Sequence, residues 1–215
     1  IQLLHQDHDF IHLKDPIPLV LSAFGDKTLD FCGAECDAHL SWNVTPDMLA
    51  GNRKIIDAAA AKAGRDPSSV PTKAIVPLAI LRPGETSASP RVLKSLGPFI
   101  TNLLHVLCEW DDQLLPADPA IADYVKRYRA YEASLPEDER HLILHEGHLV
   151  YTRPEENEYL VPEIAEIAAM IGNPDHVIER IKELEAAGLQ SFSFQVTDDP
   201  VGQMRAFAEG VMRRY

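Results

Sequence analysis

The stretch PIPLVLSAFGDKTLDF, residues 16–31, gives the clearest indication of the fold class. Its first part, Ile17 to Leu21, is a continuous apolar run with the length of a buried β-strand. Small residues follow at once, and an amphipathic helical pattern then runs from Asp26 to Glu35. A strand that leads directly into a helix is the repeating unit of parallel α/β folds. The stretch therefore predicts one βα unit, with a bare corner at Ser22 to Gly25 between its strand and its helix.

Two further strands continue this order. Ala38 to Trp42 is predicted to form the second strand. A helix follows, with Thr45 as its N-cap, Pro46 at its first position and Gly64 as its end. Lys73 to Leu81, which is rich in Ile, Val and Leu, is predicted to form the third strand. Such alternation favours parallel strands joined by helical crossovers.

The C-terminal part repeats the pattern. Asn173 is predicted to cap a helix that Gly188 ends. The segment LQSFSFQV, residues 189–196, is predicted to form the fourth strand, and a last helix is expected over roughly Val201 to Arg214. A possible partial strand at Phe10 to Leu13 would add to these four.

Residues 82–170 interrupt the alternation. They contain a Pro-, Gly- and Ser-rich start, an apolar helical stretch around Phe99 to Trp110 and a polar helix at 118–134. This segment is far longer than an ordinary connection. We therefore expect one α/β domain over residues 1–215, with a helical insertion at 82–170 on one end of a barrel.

Charge and composition exclude several classes of function. The formal net charge of -13 over 215 residues disfavours nucleic acid as a partner. The apolar runs are too short to cross a membrane. The three cysteines include no Cys-x-x-Cys pair, which indicates reduced thiols in a cytoplasmic protein. Cys32 and Cys36 are expected to pack inside the protein.

The corner at Ser22 to Gly25 allows two interpretations. In parallel α/β folds, ligands bind beyond the carboxyl ends of the strands, where backbone N–H groups can face an anion. Small side chains leave that backbone approachable, and a glycine permits turn geometry that other residues avoid. The corner therefore fits either a phosphate-binding site or an ordinary βα turn, and the charge of Asp26 would oppose a nearby phosphate.

Three segments together resemble one enzyme family. These are DPIPLVLSAFGDKTLDFCGAECDAHL, TPDMLAGNRKIIDAAAAKAGRDPSSV and IGNPDHVIERIKELEAAGLQSFSFQ, and the segment HLILHEGHLVYTRPEE is similar to a deazaflavin-dependent branch of that family. In this order they resemble the bacterial luciferase-like monooxygenase superfamily. One departure is Ala38, which stands where the family usually has glycine.

The resemblance implies a fold, a cofactor and site residues. The fold would be α/β of the (β/α)8 TIM-barrel type, here incomplete with about four βα units and the insertion. The cofactor would be FMN or coenzyme F420, and the substrate a small organic molecule. The residues matched to the cofactor phosphate are Ser22, Ala23, Phe24 and Gly25. Those matched to the substrate pocket are Ser41, Trp42, Asn43, His145 and His148.

A complete barrel needs about 250 residues. Four strands alone would also leave unpaired sheet edges. We therefore expect either a missing N-terminal half or a partner chain, such as a second copy in a homo-oligomer, to cover those edges.

The histidines around Gly147 raise the question of a metal. His141, His145 and His148, with Glu146, are suitable ligand types, but Gly147 weakens a helical arrangement, the spacing is not His-Glu-x-x-His, and no third ligand for such a motif is apparent. We expect no metal site here, and no catalytic residue is identified. Tyr124, Tyr128 and Tyr131 lie at helical spacing, which favours packing.

The leading hypothesis is a flavin- or deazaflavin-dependent oxidoreductase, either a monooxygenase or a hydride-transfer enzyme. The alternatives are a non-catalytic flavin-binding or structural relative of the same family, and a barrel enzyme that acts on a sugar phosphate.

Overall fold

The computed structural model describes residues 16–42 and 44–215. The strands are β1 (Val20–Ser22), β2 (Ala38–Trp42), β3 (Thr72–Ile80), β4 (Met170–Gly172) and β5 (Leu189–Gln195). The helices are α1 (Asp26–Glu35), α2 (Pro46–Lys62), α3 (Pro90–Cys108), α4 (Pro119–Ser134), α5 (Arg140–Leu144), α6 (Pro162–Ala168), α7 (Pro174–Ala186) and α8 (Pro200–Phe207).

The predicted βα units are present, with bounds close to those expected. Helix α1 and strand β2 begin and end at the predicted residues, and Thr45 caps α2 by accepting a hydrogen bond from the Met48 N–H at 3.2 Å. Strand β1 is shorter than predicted: it begins at Val20 instead of Ile17 and ends one residue later, at Ser22. The partial strand predicted at Phe10 to Leu13 lies outside the described residues.

All the strands of the sheet are parallel. β1 pairs with β2, β2 pairs with β3, and β3 pairs with both β5 and β4. Within the described part of the chain, β1 pairs on one side only. Five strands do not close a barrel, which has eight.

One face of the sheet packs on helices. Ala74, Val76 and Leu78 of β3 are buried in a core formed mainly with α7, α8 and β5. Because side chains alternate along a strand, the residues between them point to the opposite face. That opposite face, here called the inner face, carries two cross-strand rows of residues in register: Ser22, Leu40, Lys73 and Ser191, and then Trp42, Ile75 and Ser193.

Helices α1 and α2 approach each other closely at Gly33. A Cβ atom at this position would lie 2.3 Å from the Ile56 carbonyl oxygen and 2.9 Å from the Ala59 Cβ. Cys32 and Cys36 are fully buried in the same core, as predicted. The close contact of these two helices therefore depends on the missing side chain of Gly33.

Residues 82–169, between β3 and β4, form a separate helical layer. Helix α3 buries Phe99, Ile100 and Leu104 completely, and α4 and α6 pack against it. Strand β4 was not predicted, because its three residues continue the apolar pattern of α6. No helix of the described residues is both long and apolar enough to cross a bilayer.

The C-terminal helix changes its geometry part of the way along. A single helix was predicted over roughly Val201 to Arg214, whereas α8 ends at Phe207 and a π-helical turn covers Ala208–Met212. Phe207 and Val211 are buried against β3 and α7. The two apolar side chains are four residues apart, which places them on the same face of the helix.

Candidate functional site

The predicted corner lies at the carboxyl end of β1. Ser22 and Phe24 are exposed, whereas Ala23 is buried and its carbonyl oxygen lies 2.9 Å from His39 Nε2. Gly25 is the N-cap of α1. The corner therefore lies at the end of the sheet where ligands bind in parallel α/β folds, and its exposed part consists of Ser22, Phe24 and Gly25.

The reason expected for glycine at position 25 was wrong. Gly25 has φ -97° and ψ 153°, which is extended backbone open to any residue. Among the atoms of residues 16–42 and 44–215, a Cβ atom there would meet only Thr28 Oγ1, at 3.9 Å. The glycine therefore leaves free space above the corner and is not needed for the turn.

The predicted pocket residues on β2 point to opposite faces. Ser41 is buried on the same side of the sheet as His39, which contacts the α1–α2 layer. The Ser41 hydroxyl has no hydrogen-bond partner among the described residues. Trp42 lies on the inner face and packs against the helical layer of residues 82–169. Asn43 lies outside the described residues. Of these residues, Trp42 is the one that lies on the inner face.

Two neighbouring cavities open at the carboxyl ends of β3 and β4. The first, of about 720 Å³, is lined by Leu81–Glu85, Asn173, Asp199 and Gln203. The second, of about 730 Å³, is lined by Thr45, Thr86, His176 and Arg180 among others. The loop after β3, residues 81–87, was not among the site residues predicted from the sequence.

Ion pairs fix the wall between the cavities. Arg91 pairs with Glu85, and this hydrogen-bonded pair lowers the pKa of Glu85 to about 2. Arg82 pairs with Asp199 at 2.9 Å. Arg91 also donates to the Ile80 carbonyl oxygen at 3.0 Å, which ties the start of α3 to the end of β3. The loop after β3 is therefore joined to α3 and to Asp199 by ion pairs.

Gln195 is a polar residue that sequence reasoning missed. It is the last residue of β5, opposite Pro77, and alternation places it on the face away from Phe194. Its Oε1 atom is buried and has no hydrogen-bond partner among the described residues. Buried amide oxygens normally have partners, so this atom is available to a ligand.

His145 and His148 come together with a third histidine. Their Nδ1 atoms lie 3.4 Å apart, and the ring centroids of His145 and His105 are 5.2 Å apart. His105 lies in the last turn of α3, 40 residues before His145. No hydrogen bond or ring contact joins this trio to Trp42 within the described ranges.

A buried network holds His105. Tyr128 donates a hydrogen bond to the carboxylate of Glu156, and His105 Nε2 lies 2.7 Å from the Tyr128 oxygen. Glu156 is buried, which acts to raise its pKa, but the nearby His105 ring and the hydrogen bonds from Tyr128 and the Arg153 N–H outweigh burial, so the pKa is lowered. Glu156 is therefore an ionised carboxylate inside the helical layer.

The histidine trio lies further along α3 than the part of this helix that contacts the carboxyl end of β5. Thr197, just after β5, donates a hydrogen bond to the Ser95 carbonyl oxygen, which places this part of α3 at the carboxyl end of the sheet. His105 follows ten residues later, which corresponds to about 15 Å along a helix. The structure thus contains two polar regions.

Several solved oxidoreductases have a similar fold. They include the coenzyme F420-dependent tetrahydromethanopterin reductase from Methanopyrus kandleri (17% identity, TM-score 0.55, 93% of this chain and 51% of that one). An F420-dependent secondary alcohol dehydrogenase in complex with an F420-acetone adduct matches at 17% identity (TM-score 0.52, 93% and 49%). A long-chain alkane monooxygenase matches at 14% identity (TM-score 0.50, 94% and 43%).

The chain spans about half the length of these structures. Among curated proteins, none matches the chain. The family model for luciferase-like monooxygenases matches residues 4–191, which is most of the sequence. The fold is accordingly that of the family's TIM-barrel enzymes, with the barrel incomplete over the described residues. By this match, the chain belongs to the luciferase-like monooxygenase family.

Proposed function

We propose that the protein is a flavin- or deazaflavin-dependent oxidoreductase that binds FMN or F420 at the carboxyl end of its parallel sheet. The observation that carries the proposal is the family match, combined with an accessible corner at the strand end where such folds bind ligands. The comparisons at 17% identity support the fold, and the solved relatives with F420 in their names motivate the choice of cofactor.

Two features of the described residues fit such a cofactor. The free space above Gly25 lets the phosphate of FMN or F420 approach the start of α1, whose first N–H groups lack partners within the helix. The unpartnered Oε1 of Gln195 offers a hydrogen-bond acceptor, and its amide nitrogen offers donors. The edge of a flavin or deazaflavin ring presents N–H and carbonyl groups that complement this amide.

Trp42 and Ser22 would bind and orient the cofactor. Trp42 presents a large apolar surface on the inner face, where it would pack against a ring and exclude water. Ser22, exposed at the end of β1, would offer its hydroxyl to the phosphate. The bound cofactor would itself supply the hydride transfer or the reaction with oxygen.

The test is a titration with each cofactor. FMN and F420 are added separately to the 215-residue protein, and binding is followed by the change in cofactor fluorescence. The proposal predicts saturable binding of one of them, together with a rise in melting temperature. Absence of both signals for both cofactors would contradict it.

A pair of glutamine variants locates the site. Gln195→Ala removes the unpartnered amide at the carboxyl end of β5 and should weaken binding about tenfold, the effect of about 1.4 kcal/mol. Gln190→Ala changes a glutamine on the same strand at its amino end, where the side chain accepts from the Thr72 N–H at 2.7 Å. This second variant should bind the cofactor as the native protein does.

A non-catalytic relative that binds the same cofactor is distinguished by turnover. An oxidoreductase that binds F420 should catalyse its reduction by small alcohols, and one that binds FMN should consume oxygen with a reduced cofactor. Binding without either reaction across a panel of small organic substrates would favour the non-catalytic alternative.

A further inference from the structure

We propose that His105, His145 and His148 form a binding site for a divalent transition metal ion such as Zn²⁺, on the helical layer and apart from the proposed cofactor site. One ring nitrogen of each histidine lies within 4.8 Å of those of the other two. The sequence predicted no metal site, because the spacing around His145 and His148 is not His-Glu-x-x-His and no third ligand for such a motif was apparent. The fold supplies that ligand from α3, 40 residues earlier.

The spacing of the two exposed histidines matches a metal site. Zinc binds imidazole nitrogens at about 2.0 to 2.1 Å in tetrahedral geometry, so two of its nitrogen ligands lie about 3.4 Å apart. The Nδ1 atoms of His145 and His148 are 3.4 Å apart. Both side chains are exposed, so they can adjust toward an ion that His105 holds from the protein side.

The hydrogen bonds around His105 leave it ready to bind a metal. Tyr128 uses its only proton to donate to Glu156, so the Tyr128 oxygen must accept from His105 Nε2–H. The lone pair of the neutral ring then lies on Nδ1. This Nδ1 atom is buried and has no hydrogen-bond partner among the residues described. It is the atom that would bind the metal.

The carboxylate of Glu156 gives independent support. It is 2% exposed, and within the described ranges the one side chain that could form an ion pair with it is His105, whose Nε2 lies 3.7 Å from Glu156 Oε1 and carries a charge only when the ring is protonated. A buried carboxylate without a cationic partner is costly. Metal-binding histidines commonly donate their second N–H toward a carboxylate, which fixes the ring and raises its basicity. A metal ion on His105 would supply the missing positive charge through the ring and Tyr128.

Three histidines leave one coordination position open. Sites with three protein ligands bind water or a substrate atom in the fourth position, whereas closed structural sites use four protein ligands. His145 and His148 are exposed, so this position faces solvent. The site is therefore expected to bind the ion with water as its fourth ligand, and to hold the segment around Gly147 against the end of α3.

The experiment uses Zn²⁺ and Co²⁺ on the 215-residue protein. We expect one Zn²⁺ per chain, a rise in melting temperature with Zn²⁺ but not with Mg²⁺, and the visible absorption of tetrahedral Co²⁺. The variant His145→Ala/His148→Ala changes two exposed residues and should lose all three signals. His141→Ala, an exposed histidine of the same segment, is the matched control and should keep them.

Two results would overturn the proposal. One is native protein that shows neither the Zn²⁺-dependent shift nor the Co²⁺ spectrum. The other is a double variant that binds Zn²⁺ as tightly as the native protein, which would place the ion elsewhere. The positioning role of the carboxylate is tested by Glu156→Gln, which should weaken Zn²⁺ binding about 10- to 100-fold and change the Co²⁺ spectrum without abolishing it.

Discussion

The βα units and the helical layer bury histidine in different ways. In the βα units, His39 is fully buried, and its two ring nitrogens face the Ala23 carbonyl oxygen and the Thr72 hydroxyl. In the helical layer, His105 has a partner for Nε2 but, within the part of the chain that the structure describes, none for Nδ1. A buried histidine with both nitrogens occupied serves the fold, whereas one with a free nitrogen has capacity for a ligand.

The substitution with the largest expected effect tests whether the βα units and the helical layer unfold together. Phe99→Ala removes a completely buried ring from α3 and should reduce the free energy of unfolding by about 3 to 5 kcal/mol. Trp42 of the sheet packs against the same core, so chemical denaturation followed by fluorescence and by far-UV circular dichroism should show one shared transition. Two separate transitions would show that the regions unfold independently.

The next effect concerns the packing of the βα units. Gly33→Ala places a methyl group against the Ile56 carbonyl oxygen and should cost about 1 to 3 kcal/mol of unfolding free energy. Gly51→Ala, in α2, is the control, because nothing lies within 4 Å of the new atom. It should stabilise the protein by up to about 1 kcal/mol. Equal effects of the two substitutions in thermal melts would contradict the close α1–α2 contact.

A similar effect is expected from the polar network of the helical layer. Tyr128→Phe removes the hydroxyl that links His105 to Glu156, and should cost about 1 to 3 kcal/mol because a buried carboxylate loses a donor. Tyr131→Phe is the matched control, since the Tyr131 hydroxyl accepts from the partly buried Arg153 at 3.1 Å. Denaturant titration should rank Tyr128→Phe as clearly more destabilising, and the reverse ranking would count against the network.

The smallest effect is a pH dependence in the βα units. Burial lowers the pKa of His39 below its ordinary value of 6.5, and the charge of Arg53 acts in the same direction. The folded state therefore resists protonation, so this contribution to stability is complete above pH 6.5 and is lost as the pH falls below it. For one group the slope is at most about 1.4 kcal/mol per pH unit.

His39→Gln isolates that contribution. The variant should be less stable at neutral pH, but its stability should fall less steeply between pH 6.5 and 5 than that of the native protein. Parallel pH profiles, measured by denaturant titration, would assign the acid sensitivity to other groups.

The sequence predicted the βα units because their signals are local. Thr45 and Asn173 cap helices by side-chain hydrogen bonds to residues three positions later, and a single sequence shows such caps directly. The same holds for the end of α2, where Gly64 has φ +74°. Strand β4 was missed because three apolar residues after an amphipathic helix carry no periodicity of their own.

The histidine cluster could not be predicted from the sequence, because its parts are distant in the chain. His105 and Glu156 are 51 residues apart, and each alone is consistent with an ordinary helix or turn. The helical spacing of Tyr128 indicated packing, which is correct, but gave no sign of its hydrogen bonds. The unpartnered atom of Gln195 likewise depends on strand register, which only the folded sheet fixes.

Hydrogen–deuterium exchange, measured with and without the cofactor, tests whether FMN or F420 binds at the carboxyl end of the sheet. With either cofactor bound there, we expect slower exchange at residues 22–29 and 195–199. Residues 66–71, at the amino end of β3, should exchange unchanged. Protection confined to residues 66–71, or no protection anywhere at saturating concentrations of both cofactors, would contradict the account.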